Sequence, residues 1–265
     1  MSHKIRLIAR LDVKGKNLVK GIQYEGLRKL GDPHDFAKRY YEQGIDELLY
    51  LDTVASLYGR NNLSDILQKT TQDIFIPITA GGGLRSVEDV GLVLKMGADK
   101  AAVNTAALHR PELISELAKA YGSQCVVLSV QAKRWESGWE AYFDNGRERS
   151  GKDALEWIRQ AERWGAGEVL ITSVDAEGRQ KGMDQELIAA VRQATELPVI
   201  AAGGVSCAED IVKAANEGAD AVSVASILHY DKTNVSALKQ EILKAGVEVS
   251  RRPSGLRKTS VNYNS

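Results

Sequence analysis

An internal repeat constrains the fold of this chain more than any other feature. Displaced by 121 residues, IPITAGGGLRSVEDVGLVLKMGADKAAVNTAA (76–107) lies over LPVIAAGGVSCAEDIVKAANEGADAVSVASIL (197–228) without a gap. Pro77, Gly82, Gly83, Glu88, Asp89, Gly97, Ala98, Asp99 and Val103 recur as Pro198, Gly203, Gly204, Glu209, Asp210, Gly218, Ala219, Asp220 and Val224, and Gly44 and Glu47 match Gly165 and Glu168. A repeat on this scale means that the unit is a supersecondary element used twice.

The unit itself alternates strand and helix. Eight β-rich runs, near 5–12, 47–52, 74–80, 99–104, 125–131, 168–173, 198–202 and 220–225, are each followed by a longer segment with helical patterning. Such alternation predicts a parallel sheet with crossover helices, and eight units in two equivalent halves predict an α/β fold of one closed (βα)8 barrel over residues 1–249. Helix starts are expected at Asp32-Pro33, Ser86 and Arg110-Pro111, with a capping box of Ser206 and Glu209. Gly44, Gly97, Gly122, Gly165 and Gly218 are placed as glycines that end helices. Two segments stand outside the repeat. Residues 14–31 read as a long loop rich in glycine and lysine, a candidate lid, and residues 250–265 read as a basic polar tail expected to be disordered or peripheral.

Charge narrows the partners. Lysine plus arginine equals aspartate plus glutamate, 35 of each, so no overall field recruits nucleic acid or an anionic membrane, and an anionic ligand must be held locally. Cys125 and Cys207 have neither metal-site nor disulfide spacing, which fits a reducing cytoplasm without a bound metal or cofactor. The N-terminus lacks the apolar stretch of a signal peptide, and no run is long enough to span a membrane.

In a βα barrel the reactive face lies where the strands end. Asp12, Asp52, Gly82, Gly83, Asn104, Thr105, Gln131, Thr172, Gly203, Gly204, Ala225 and Ser226 fall there. A glycine pair between strand and helix lets backbone N–H groups approach a phosphate. Here Gly82-Gly83 is followed on the next strand by Asn104-Thr105, and Gly203-Gly204 by Ala225-Ser226, so two anion cradles on opposite sides of one mouth predict an elongated ligand with a phosphate at each end. Two readings stand for Asp12: a general acid or base at the centre of the mouth, with Lys20 closing over it, or a solvated or capping aspartate. Asp52 and Asp184 read as structural partners or polar ligands of the lid. At the opposite end Arg6, Glu47, Lys100 and Glu168 start four strands, either as a ring of ion pairs or as four solvated charges.

The segments LDVKGKNLVKG, GIDELLYLD, ITAGGG, GADKAAVNTAA, RWGAGEVLITS and VIAAGG, in this order and spacing, resemble the cyclase subunit family of imidazole glycerol phosphate synthase over residues 4–249. The resemblance implies a glutamine amidotransferase complex in which a separate glutaminase docks on the face where the strands begin. Its ammonia would pass a gate of Arg6, Glu47, Lys100 and Glu168. At the mouth the ammonia would convert a bisphosphorylated aminoimidazole carboxamide ribonucleotide to imidazole glycerol phosphate. By the same resemblance Asp12 is one catalytic aspartate, Lys20 a lid lysine, and the glycine pairs with their followers the phosphate sites. Asp52, Thr172, Glu177 and Gly178 are further pocket residues. The chain departs from the family at Gln131, where a second catalytic aspartate is expected, at Arg10 in place of a small residue, at Ala202 in place of serine, and at Glu177 and Arg179. An amide cannot relay a proton, so this pattern also admits a paralogue that passes ammonia to an amidotransferase making amidinated sugars of surface polysaccharide, or an inactive phosphate-binding scaffold.

Overall fold

The computed structural model describes residues 4–55 and 63–250. The first half runs β1 (Arg6–Lys14), β2 (Asn17–Ile22), β3 (Glu25–Gly31), α1 (Pro33–Glu42), β4 (Glu47–Asp52), α2 (Leu63–Thr70), β5 (Ile78–Gly81), α3 (Val87–Lys95), β6 (Lys100–Val103), the short α4 (Thr105–His109) and α5 (Glu112–Tyr121). The second half runs β7 (Val126–Trp135), β8 (Gly138–Phe143), β9 (Glu148–Asp153), α6 (Ala154–Arg163), β10 (Glu168–Ser173), α7 (Gln185–Ala194), β11 (Val199–Ala202), α8 (Ala208–Asn216), β12 (Ala221–Val224), the short α9 (Ser226–His229) and α10 (Val235–Lys244). Eight parallel strands pair in the order β10-β11-β12-β1-β4-β5-β6-β7, and β7 pairs back onto β10 to close the barrel.

The repeat is visible in the hydrogen bonds as well as in the letters. Asp99 Oδ2 accepts the Ile78 N–H at 2.8 Å, and Asp220 Oδ2 accepts the Val199 N–H at 2.7 Å. Asp89 Oδ2 accepts from Arg85 N–H, and Asp210 Oδ2 from Ser206 N–H. The capping box expected at Ser206 and Glu209 therefore sits one residue on, at Cys207 and Asp210. The Asp210 carboxylate reaches the backbone of both Ser206 and Cys207, while Glu209 is left to the solvent side. Helix ends follow the glycines: after α1, the Gly44 and Ile45 N–H groups donate to Tyr41 and Tyr40 carbonyls, and the same pair of bonds closes α3, α6 and α8 at Gly97, Gly165 and Gly218.

Two apolar layers hold the barrel. The larger lies between sheet and helices; the smaller, inside the cylinder, contains Ile8, Leu49, Ala102, Val127, Leu170, Ile200 and Ala221. Full burial of one such large side chain contributes roughly 1.5–3 kcal/mol. Among the described residues no helix is long and apolar enough to cross a membrane.

The segment expected to be a loop, 14–31, is a hairpin. β2 pairs antiparallel with the end of β1 and with β3, turning at Gln23 and Tyr24, both at positive φ (49° and 64°). The polar alternation of NLVKGI, with buried Leu18, Val19 and Lys20, satisfies its backbone in a ladder instead of leaving it to water. A second hairpin, β8 and β9, extends β7 in the same way and has no counterpart among the eight expected runs. Ser250 closes the barrel's underside through its N–H to Ile5 O; the rest of the tail, 251–265, lies outside the described residues.

Beside the first hairpin, His229 is buried with its Nδ1 2.7 Å from the Tyr40 hydroxyl and its ring stacked on Tyr40. Burial pushes the imidazole down to about 3, with the Lys20 ammonium acting in the same direction. The unfolded chain takes up this proton near pH 6.5 while the folded chain refuses it, so stability present above pH 6.5 is lost as pH falls toward 3, at up to about 1.4 kcal/mol per pH unit. Urea midpoints should accordingly fall between pH 7 and pH 4.5, and His229→Gln should flatten that profile. Parallel profiles for the two proteins would refute the assignment.

Candidate active site

Alternate residues of a strand face the barrel axis, and β1 carries Arg6, Ile8, Arg10 and Asp12 along that line. At the lower end the four expected charges converge. Arg6 Nη1 is 2.5 Å from Glu47 and its Nη2 is 2.7 Å from Glu168, while Lys100 Nζ is 3.4 Å from Glu47 and 2.7 Å from Glu168. The ring is closed, and its carboxylates are buried. Burial disfavours the Arg6 charge, but Glu47 and Glu168 outweigh it and hold the guanidinium protonated. Below the ring, a depression of about 420 Å³ is lined by Lys4, Arg6, Lys100, Gln124, Gly167, Glu168, Pro198 and Asp220. Directly above lies the inner apolar layer.

At the upper end a second charged group fills the centre of the mouth. Asp12 receives Arg10 Nε on Oδ1 at 2.8 Å and Lys20 Nζ on Oδ2 at 3.2 Å. Lys20 also donates to Glu177, and Arg10 Nη2 is 3.3 Å from the Tyr24 hydroxyl. All five side chains are buried. Burial pushes the Asp12 carboxyl up, yet Arg10 and Lys20 outweigh it and hold it down to about 2. Asp12 is thus an anion throughout the neutral range, and it can accept a proton or stabilise a cation but cannot begin as a proton donor. Burial raises the Tyr24 phenol, which stays neutral.

Gln131, at the end of the opposite strand, is also buried, but its amide is turned to a different task. Its Oε1 accepts the Gly146 N–H at 2.7 Å and so anchors the turn of the second hairpin. That turn, Asp144-Asn145-Gly146 at positive φ, leans over the mouth: Asn145 Nδ2 donates to Thr53 O, Asp144 exchanges hydrogen bonds with Thr105, and Asn104 Nδ2 donates to Tyr142 O.

Two cavities flank the central cluster. One, of about 330 Å³, is lined by Arg10, Asp52, Gly82, Gly83, Asn104, Thr105, Ser129, Gln131 and Asn145, with Arg85, His109 and Arg110 at its outer part. The other, of about 20 Å³, is lined by Arg10, Glu177, Gly178, Gln180, Ala202, Gly203, Gly204, Ser223, Ala225 and Ser226. The four residues expected at each cradle therefore share one cavity. Packing also demands the glycines: a Cβ on Gly82 would lie 2.2 Å from Asp52 O, and one on Gly204 would lie 2.0 Å from Gly182 O. Asp52 caps the following turn by accepting Val54 and Ala55 N–H at 3.0 Å each. Thr172 is buried beside Gln131 in the barrel wall and lines neither cavity. Asp184 caps α7 and accepts from Trp139 Nε1, so it serves the second hairpin and not the first. Tyr24, Ser129 and Asn145 are mouth residues that the sequence reading did not single out; the DNG at 144–146 was the available signal for the second hairpin.

The family described as "Histidine biosynthesis protein" matches residues 6–234. The protein "Imidazole glycerol phosphate synthase subunit HisF" of Legionella pneumophila is 56% identical over 207 residues, covering 78% of this chain and 98% of that protein. Its namesakes from Corynebacterium diphtheriae and Mycobacteroides abscessus are 46% and 45% identical over 252 and 256 residues, which is 92% and 94% of this chain and 98% and 100% of theirs. By the match of residues 6–234 and by similarity to relatives over as much as 94% of its length, this chain belongs to the histidine biosynthesis protein family, among the HisF-type subunits of imidazole glycerol phosphate synthase.

Proposed function

We propose that this chain is the cyclase subunit of a cytoplasmic glutamine amidotransferase complex, a lyase that takes ammonia from a partner glutaminase. The glutaminase docks over the depression at the lower face, and ammonia passes the ring of Arg6, Glu47, Lys100 and Glu168. It crosses the inner apolar layer and meets a bisphosphorylated aminoimidazole carboxamide ribonucleotide at the mouth, giving imidazole glycerol phosphate and aminoimidazole carboxamide ribotide. The observation that carries this reading is the alignment of the closed ion-pair ring with the mouth cavities along one column of inward residues. Uncharged ammonia can cross Ile8, Leu49 and Leu170, whereas an ammonium ion would lose its hydration there.

In the mouth the roles divide by chemistry. Glycine-pair N–H groups and Thr105 bind phosphate, Lys20 neutralises charge over the ligand, and Asp12 accepts the proton released as ammonia adds. Gln131 orients and cannot exchange a proton, so the step that needs a second acid or base is slow. That amide favours a second reading, in which the portal works as proposed but ammonia passes to a different acceptor, such as an amidotransferase acting on a sugar.

Two measurements test this. With ammonium salt and the bisphosphate substrate, Gln131→Asp should raise kcat by about 10²-fold, the usual worth of one general acid or base, and Asp12→Asn should abolish turnover in both backgrounds. With a co-expressed glutaminase, Glu168→Gln should lower glutamine-dependent turnover by about tenfold more than ammonium-dependent turnover, because only the former uses the ring. Product from neither nitrogen source in the wild type and in Gln131→Asp would overturn the cyclase reading, and a glutaminase that neither copurifies nor gains activity would overturn the complex.

A further inference from the structure

The turn that Gln131 anchors rests on the other hairpin. Gly146 has a φ of 71°, and its bare Cα lies against two neighbours: a Cβ there would stand 3.0 Å from Val174 Cγ1 and 3.5 Å from Tyr24 Cδ2. Tyr24 is buried at the turn of the first hairpin, so two tips far apart in the chain meet over the mouth. A third segment joins them from below. Directly after β10, Val174 N–H donates to Ala132 O, and the Asp175 carboxylate accepts Arg134 N–H at 2.9 Å. The carbonyls of Asp175 and Glu177 accept from Gln23 Nε2 at 3.1 Å and from Gln23 N–H at 2.9 Å. Residues 174–177 therefore hold the extended end of β7 on one side and the turn of the first hairpin on the other.

Among the bonds of the 144–146 turn, the one from Gly146 N–H to Gln131 Oε1, at 2.7 Å, is at the point of contact with Tyr24. The others, from Asn145 to Thr53 O and between Asp144 and Thr105, tie the turn to the loops after β4 and β6. Length matters at 131. Only the oxygen of the amide can accept an N–H, so its orientation is set, and an aspartate would end one methylene short of that oxygen. Tyr24 continues the line of contact, with its hydroxyl 3.3 Å from Arg10 Nη2 and its ring centroid 5.4 Å from the guanidinium carbon, and Arg10 Nε reaches Asp12 at 2.8 Å. Gln131, Gly146, Tyr24, Arg10 and Asp12 thus cross the mouth from the end of β7 to the end of β1.

We propose that Gln131 is a positioning residue of the mouth, acting through Gly146 and Tyr24 to join the two hairpins into a single lid. Placing a ligand beneath that lid rests on the function proposed above. Lys20 and Tyr24 open and close together with the 144–146 turn, so a long ligand with a phosphate at each end is admitted by one movement of both hairpins and is then held by both. An amide in place of a carboxylate at 131 gives up a proton carrier and gains this reach.

Amide hydrogen exchange of the full chain without ligand tests this, read by mass spectrometry on peptides covering residues 18–28 and 143–148, with 168–173 in the barrel wall as the reference. Gln131→Met, which keeps the length and removes the acceptor, should speed exchange by about fivefold in both hairpins, the scale of one lost hydrogen bond, and leave the reference unchanged. Gln131→Glu, with an acceptor at the same reach, should restore slow exchange in both. Gly146→Ala presses a Cβ on Val174 while leaving Gln131 in place. It should likewise loosen residues 18–28, and it covers the case in which Gln131→Met does not fold. Faster exchange confined to 143–148 would reduce Gln131 to a local anchor, and an equal rise in the reference would reduce the effect to lost global stability. Gln131→Glu as loose as Gln131→Met would make the acceptor irrelevant. Each of these results overturns the proposal. Neither ammonia nor a phosphorylated ligand enters the measurement, so its failure leaves the cyclase reading standing, and failure of that reading leaves the coupling of the hairpins standing.

Discussion

The two-residue period of β1 is the constraint on which the rest of the structure depends. Arg6, Ile8, Arg10 and Asp12 share one face of one strand, so a single stretch of backbone supplies a corner of the lower ring, part of the apolar seal and half of the upper charge cluster. A slip of one residue would turn all four into the helix layer and bring Leu7, Ala9 and Leu11 to the axis. Pairing with β4 and β12 on either side fixes the register against that slip. Function along the axis is therefore a consequence of how one strand is seated.

Charge balance makes the arrangement affordable. Two cations meet two anions in the ring, and two cations meet two anions in the mouth, with apolar side chains between the quartets. An unpaired ion at these depths would cost several kcal/mol, and a paired one contributes little net stability. Such groups are better understood as fixing positions than as holding the fold together, which the two apolar layers do. The first hairpin supplies Lys20 of the mouth quartet from β2, and Tyr24 in its turn meets Arg10, while Glu177 comes from the segment after β10. Gln23 ties that turn to the backbone of Asp175 and Glu177, and Gln131 ties the other hairpin through Gly146. Both hairpins are thus tied to the barrel at the mouth by a few identifiable hydrogen bonds.

Much of this was legible in the sequence because a repeat is a global signal. Matching glycines, aspartates and helix ends at a constant offset left one architecture, and the same offset located both glycine-lined cavities. Local signals served less well. The first hairpin turns at Gln23 and Tyr24, residues that seldom adopt positive φ, and its lysines and glycines imitate a loop. Asn145-Gly146 announces the second turn plainly, yet GWEAYF has the short alternation that an eight-run reading passes over. The capping box moved by one because Asp210, and not Glu209, is on the side of the helix that faces back to the loop. The size of a cavity is beyond any such reading, since volume depends on how all the side chains around it pack.

The departures from symmetry are concentrated at two inward positions. Asp12 and Gln131 end equivalent strands, and two residues before them stand Arg10 and Ser129. Ser129 lines the cavity of about 330 Å³ at Gly82 and Gly83, while Arg10 lines both that cavity and the one of about 20 Å³ at Gly203 and Gly204. The carboxylate is in the half with the arginine, which holds it ionised, and the amide is in the half with the serine, where it anchors a turn. The two exchanges fit each other. A guanidinium placed beside Asp12 needs that carboxylate as its counter-ion, whereas a guanidinium beside Gln131 would have been buried without one. Asymmetry of charge accompanies asymmetry of space: Arg10 and Glu177, which line the small cavity, are paired with Asp12 and Lys20, whereas the large cavity also carries Arg85, His109 and Arg110.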